Sequence, residues 1–156
     1  AMDHVLTVSA SHYLPVDCGG IPEGPVMPVA GTAFDFRAPR RIGQSVRAND
    51  PQLVFRRGYD HCLCPDGTGF RHMARLADPQ SGRKLDLWSD QPGLQLYSGN
   101  FLDGMNVGKG GVAYRAGDAV CLEPQSYPDA PNRPDFPPSV VVPGEIYRHR
   151  MRLDHG

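Results

Sequence analysis

Glu123 is the residue of this sequence best placed to do chemistry. The run Ala119-Val120-Cys121-Leu122 ends on this single carboxylate, and Pro124 follows at once. A residue before proline is held extended, so Glu123 has little freedom to wander. A carboxylate at the rim of an apolar core is desolvated, which suits it to act as a general base near neutral pH. A surface acid at a strand end is the plainer reading of the same residue. The second candidate is Gly58-Tyr59-Asp60-His61. An Asp beside a His can orient an imidazole, or can accept hydrogen bonds from substrate hydroxyls. Neighbours on a strand point to opposite faces, so Asp60 and His61 are not expected to work as one dyad.

Two further groupings carry less. His61-Cys62-Leu63-Cys64 raises the question of metal, but structural zinc sites pair cysteines two to four residues apart with a second pair downstream. Here the spacing is Cys-x-Cys and Cys18 and Cys121 stand alone, so no zinc site is expected. Gly108-Lys109-Gly110-Gly111 lacks the spacing of a phosphate-binding loop and its following Ser or Thr, and reads as a turn. His72 and His149 fall in predicted strands and read as packing or surface residues.

The elements that would position these residues are strands. Prolines or glycines interrupt almost every window of twelve residues, which forbids a long helix. Val5 to Ala10 is β-rich. Arg71 to Ala77 and Lys84 to Ser89 flank DPQSGR, whose composition suits a turn, so a hairpin is expected. Leu94 to Leu102 and Ala119 to Glu123 follow as strands. In GEIYRHRMRL (144–153) Arg148, Arg150 and Arg152 alternate with His149, Met151 and Leu153, the period of a strand with one solvated face. Long irregular stretches, 15–52 and 124–138, separate these strands, and such loops are often functional.

Composition agrees. Gly and Pro, 18 and 16 of 156 residues, exceed a fifth of the chain without a repeat, which fits short strands joined by turns. The length is that of one domain, with no internal boundary. A net charge of −1 with mixed signs favours neither nucleic acid nor an anionic membrane as partner. No apolar run reaches a membrane span, and AMDHVLTVSA lacks the pattern of a signal peptide. A soluble, cytoplasmic protein is the expectation, and four irregularly placed cysteines do not make a disulfide framework.

Several segments together resemble the aldose 1-epimerase family, the galactose mutarotases. They are SHYLPVDCGGIPEGPVMPVAGTAFDFRAPRRIG (11–43), GYDH (58–61), GLQLYSGNFLDG (93–104), CLEPQSYPDAPNRPDFPP (121–138) and the closing PGEIYRHRMRL. Their order resembles the C-terminal half of the family. The Glu-Pro-Gln segment followed by Pro-Asn-x-Pro-x-Phe-Pro is the most specific. The resemblance implies an antiparallel β-sandwich of the galactose mutarotase-like type, here a partial sandwich with long loops. It implies interconversion of the α and β anomers of free hexoses, galactose or glucose, without cofactor or metal. Glu123 then matches the general base and Asp60 an acid that binds sugar hydroxyls, with Gln125 and Tyr97 near them as candidate sugar contacts.

The resemblance also implies what is missing. The family's general acid is a histidine in a His-x-Tyr-x-Asn-type motif, expected ahead of Ala1, together with a second histidine and an arginine. A general acid contributes about 10² to 10⁴ in rate, so this chain alone is expected to be a weak or inactive mutarotase. The alternatives are a non-catalytic sugar-binding module and a self-associating β-fragment. Half a sandwich would expose sheet edges that invite a homodimer or a complementary N-terminal fragment.

Overall fold

A computed structural model describes residues 1–156. The apolar run near the N-terminus forms β1 (Val5–Val8) and β2 (Ala10–Tyr13), not the single strand expected over Val5 to Ala10. The break falls at Ser9, whose N–H donates to the Met73 carbonyl while its own carbonyl accepts from the Asp66 N–H. The chain turns a corner there and passes from one sheet to the other. Next come β3 (Met27–Pro28), β4 (Arg40–Arg41), a helix α1 (Pro51–Arg56) and β5 (Asp60–Pro65). They are followed by β6 (Arg71–Ala77), β7 (Lys84–Ser89), β8 (Gly93–Tyr97), β9 (Asp103–Val107) and β10 (Ala113–Arg115). The last two strands are β11 (Cys121–Gln125) and β12 (Met151–His155).

Two five-stranded antiparallel sheets result, in the orders β12-β7-β6-β1-β4 and β11-β8-β5-β2-β3, with β9 and β10 as a separate hairpin. Leu6, Val8, Met73 and Leu87 of the first sheet and Leu63, Leu94 and Leu96 of the second form one apolar core with Phe34, Phe36 and Ile42 from the long loop. Phe34 stacks on Tyr13 at 4.2 Å between ring centroids and meets Tyr59 edge-on at 5.7 Å. Burying a side chain of that size contributes about 2–3 kcal/mol. The architecture is the antiparallel sandwich that was expected. No helix is long and apolar enough to cross a membrane.

The expected hairpin of β6 and β7 forms, with the Asp78 carboxylate accepting from the N–H groups of Gln80 and Ser81 in its turn. The Gly108–Gly111 stretch is a turn, between β9 and β10. Other expectations need correction. The strand expected over Leu94 to Leu102 stops at Tyr97, because Gly99 takes a positive φ and the chain turns, with the Leu102 N–H donating to the Gly99 carbonyl. The strand expected over Ala119 to Glu123 lies at Cys121–Gln125 and is not buried: it is a sheet edge on which Cys121 and Glu123 are exposed. The closing strand pairs only over Met151–His155: β7 ends at Ser89, the partner of Met151, and past it the Asp90 N–H alone donates to the chain, at the Arg150 carbonyl, so no ladder forms over residues 145–150. His149 therefore lies outside a strand and meets the Ser89 hydroxyl through Nε2 at 3.2 Å, whereas His72 lies in β6 as expected.

Candidate functional site

Register decides which residues share a face. Across the second sheet Asp60 of β5 stands opposite Tyr97 of β8, and Tyr97 opposite Cys121 of β11. Two residues on, Cys62, Gln95 and Glu123 form the next row, and Gln125 stands beyond Glu123 beside Gly93. Directly paired residues of antiparallel strands point the same way. Asp60, Tyr97, Gln95, Glu123 and Gln125 therefore leave the sheet on its outer face, away from Leu94 and Leu96 in the core. They line a cleft of about 370 Å³ together with Gly20, Arg56, Phe101 and Pro128.

All four residues singled out from the sequence, Glu123, Asp60, Gln125 and Tyr97, thus lie in one cleft. The sequence reading missed Gln95, Arg56, Phe101 and Gly20. Gln95 had a usable signal, since it sits two residues before Tyr97 on a predicted strand and so on the same face. Arg56 had none, because its position depends on how α1 docks.

The polar groups form a chain across the three strands. Arg56 Nη2 donates to Asp60 Oδ2 at 2.5 Å, Gln95 Nε2 donates to Asp60 Oδ1 at 2.9 Å, and Gln125 Nε2 donates to Gln95 Oε1 at 3.5 Å. The Tyr97 hydroxyl accepts from the Phe101 N–H at 3.1 Å, which leaves its own proton free to donate. Glu123 takes part in none of the ion pairs of the chain. The cleft thus holds one carboxylate tied by two donors and one left free.

His61 goes the other way, as the strand period predicts. It is buried against Phe34 at 4.7 Å between ring centroids, its Nδ1 accepts from the Asp60 N–H at 3.1 Å, and burial pushes its pKa down to about 4. It stays neutral near pH 7 and faces the core, so it cannot replace an acid in the cleft. None of the six histidines lines the cleft.

The proline-rich segment after Glu123 supplies Pro128 to the cleft and then packs on the same sheet face beside it. Ala130 and Phe136, with Tyr127 beside them, pack on Leu14, Cys62 and Cys64, so the outer face of β5 is covered where the cleft ends. Burial raises the Cys64 thiol to about 11 and the Cys62 thiol further, which keeps both protonated and poor as metal ligands. No group of three or more His, Cys, Asp or Glu side chains converges in a way that could hold a metal ion.

A family model described as aldose 1-epimerase matches residues 1–154. The chain is 46% identical over 148 residues to a galactose mutarotase of Homo sapiens, an alignment that covers 94% of this chain and 42% of that protein. It is 39% identical over 149 residues to an aldose 1-epimerase of Escherichia coli K12, covering 93% and 42% respectively. Among solved structures it is similar to an aldose epimerase homologue from C. elegans, with a TM-score of 0.88 and 28% identity over 99% of this chain and 46% of that one. It is also similar to a galactose 1-epimerase from Lactobacillus acidophilus, with a TM-score of 0.71 and 33% identity over 81% and 36%. The chain spans under half the length of these relatives.

Proposed function

The chain belongs to the aldose 1-epimerase family, and on that premise we propose that it carries the base side of a site interconverting the α and β anomers of free hexoses such as galactose or glucose. One observation supports this above the others: a free carboxylate, Glu123, and a tied one, Asp60, enter the same cleft from one sheet face. In the proposed reaction Glu123 takes the proton of the anomeric hydroxyl. The C1–O5 bond breaks as the carbonyl forms, and the ring oxygen takes up a proton. The open aldehyde turns about its C1–C2 bond and closes by the reverse steps, with Glu123 returning its proton. Asp60 accepts hydrogen bonds from sugar hydroxyls, while Gln125 and Tyr97 contribute an amide and a hydroxyl to orient the ring.

The acid that protonates the ring oxygen is assigned to a group outside residues 1–156, since no histidine lines the cleft. Turnover by this chain alone is then slow, short of the roughly 10² to 10⁴ that a positioned acid supplies. The same absence favours a second reading, a module that binds the sugar without turning it over. A cytoplasmic setting belongs to the proposal, supported by four cysteines that are all free thiols.

Polarimetry of α-galactose at neutral pH tests the first reading. A rate above buffer that disappears in Glu123→Gln supports Glu123 as base, and an active preparation indifferent to that substitution refutes it. Calorimetric titration with galactose that shows binding without turnover favours the second reading.

A further inference from the structure

Arg56 has an unusual setting for an arginine at the end of a six-residue helix. A cation is favourable there, yet an exposed side chain would satisfy the helix end equally well. Instead Arg56 turns into the cleft and keeps only 16% of its side chain exposed. One Nη binds Asp60, and the guanidinium carbon lies 5.0 Å from the centroid of the Phe101 ring. The backbone of Gly20 comes so close that a Cβ there would stand 2.8 Å from the guanidinium carbon and 2.9 Å from Nη1. Gly20 has φ +89°, so only glycine suits both the turn and the guanidinium beside it. Nε is shut off from solvent with no partner in the chain. Taking a guanidinium out of water in this way is costly, and the Asp60 carboxylate is the group that offsets it.

We propose that Arg56 is a positioning residue of the cleft: its grip on Oδ2 holds Asp60 in the orientation in which Oδ1 takes the Gln95 amide and the remaining lone pairs face the sugar. A carboxylate offers about four acceptor sites, and Arg56 and Gln95 occupy two of them. Those left lie in fixed directions, as suits neighbouring hydroxyls of a ring. A side chain ordered in advance loses less conformational freedom when the ligand arrives. Lysine could supply the charge but not the flat fork that fits between Gly20 and Phe101. The assignment rests on Asp60 as a sugar-binding residue, but the orientation of Asp60 can be read without any sugar.

The test uses the whole 156-residue chain labelled with ¹⁵N, as wild type, Arg56→Met, Arg56→Lys, Asp60→Asn and the double variant Arg56→Met/Asp60→Asn. The first readout is the side-chain amide of Gln95 by NMR. In Arg56→Met its resonances shift and its protons exchange faster by about tenfold. Arg56→Lys recovers part of the effect, and Arg56→Met adds nothing once Asp60 is Asn. An unchanged Gln95 amide in Arg56→Met overturns the proposal. So do changes spread through the backbone amides of both sheets, which would mark Arg56 as a support of the fold. If Arg56→Met does not fold, Gly20→Ala displaces the guanidinium without removing it and gives the same Gln95 readout.

The second readout is galactose affinity, which weakens about tenfold in Arg56→Met but not in the Asp60→Asn background. Equal weakening in both backgrounds overturns the proposal, since Arg56 would then act on the sugar directly. Failure of the wild type to bind galactose refutes the sugar-binding reading, while the Gln95 amide still decides the role of Arg56.

Discussion

Asp60 and His61 are neighbours in sequence with opposite fates, and the difference follows from the period of a strand. Asp60 reaches the cleft and two donors, while His61 is sealed against Phe34 with its pKa lowered to about 4. A histidine whose folded pKa lies below its unfolded value of 6.5 binds protons preferentially when unfolded. Its contribution to stability is full above pH 6.5 and is lost as pH falls towards 4. At about 1.4 kcal/mol per pH unit the loss across that window is about 3 kcal/mol. Urea unfolding at pH 7 and pH 4.5 should therefore show a steep fall for the wild type and a shallower one for His61→Gln. Parallel curves would refute the assignment. The opposition of Asp60 and His61 was legible in the sequence, but the grip of Arg56 on Asp60 was not, because it is a contact between a helix and a strand and depends on docking.

At the scale of elements, the sequence reading put Asp60 and His61 on a strand but did not delimit β5 over Asp60–Pro65, for a physical reason. His61 and Leu63 face the core while Cys62 and Cys64 face Ala130 and Phe136, so the strand is buried on both sides and shows no polar alternation. The proline-rich segment covers that outer face, and so the strand carries apolar residues on both sides. Gly93 shows how closely these layers approach. A Cβ there would stand 2.7 Å from Cys62 Sγ and 3.2 Å from the Tyr127 ring. Gly93→Ala should cost about 1–3 kcal/mol of unfolding free energy, part of it recovered in a Cys62→Ala background. Additive costs in that cycle would mean that Gly93 and Cys62, on neighbouring strands of one sheet, do not crowd each other.

Helix α1 was also missed, being too short to show a period, though Asp50-Pro51 is a helix start. The Asp50 side chain accepts from the Gln52 N–H at 2.9 Å and Pro51 occupies the first turn. Asp50→Ala should lower stability by about 1 kcal/mol in chemical denaturation. It should also loosen Arg56 at the other end of the helix.

On the scale of the whole molecule, the two sheet orders correspond strand by strand, so β11 and β12 mark the same side of the sandwich. Leu153 pairs with the fully buried Leu87 and so points inward, yet it is 44% exposed, and Met151 is 53% exposed. The sandwich is open along these edges, and an open apolar edge is a template for pairing. Sedimentation velocity of the isolated chain should show concentration-dependent association, reduced by Leu153→Lys; a strictly monomeric wild type would overturn this. From composition, turn residues and strand period, the sequence by itself determined an antiparallel β protein, the β6–β7 hairpin and the opposed faces of Asp60 and His61. These are local properties, set by backbone preference and by which atoms avoid water. Only the tertiary structure decided that Glu123 is an exposed edge residue, that residues 145–150 lack a strand partner, and that Arg56 and Gln95 converge on Asp60. Each of those depends on register or docking between segments far apart in the chain, where the energy lies in contacts that no local pattern encodes.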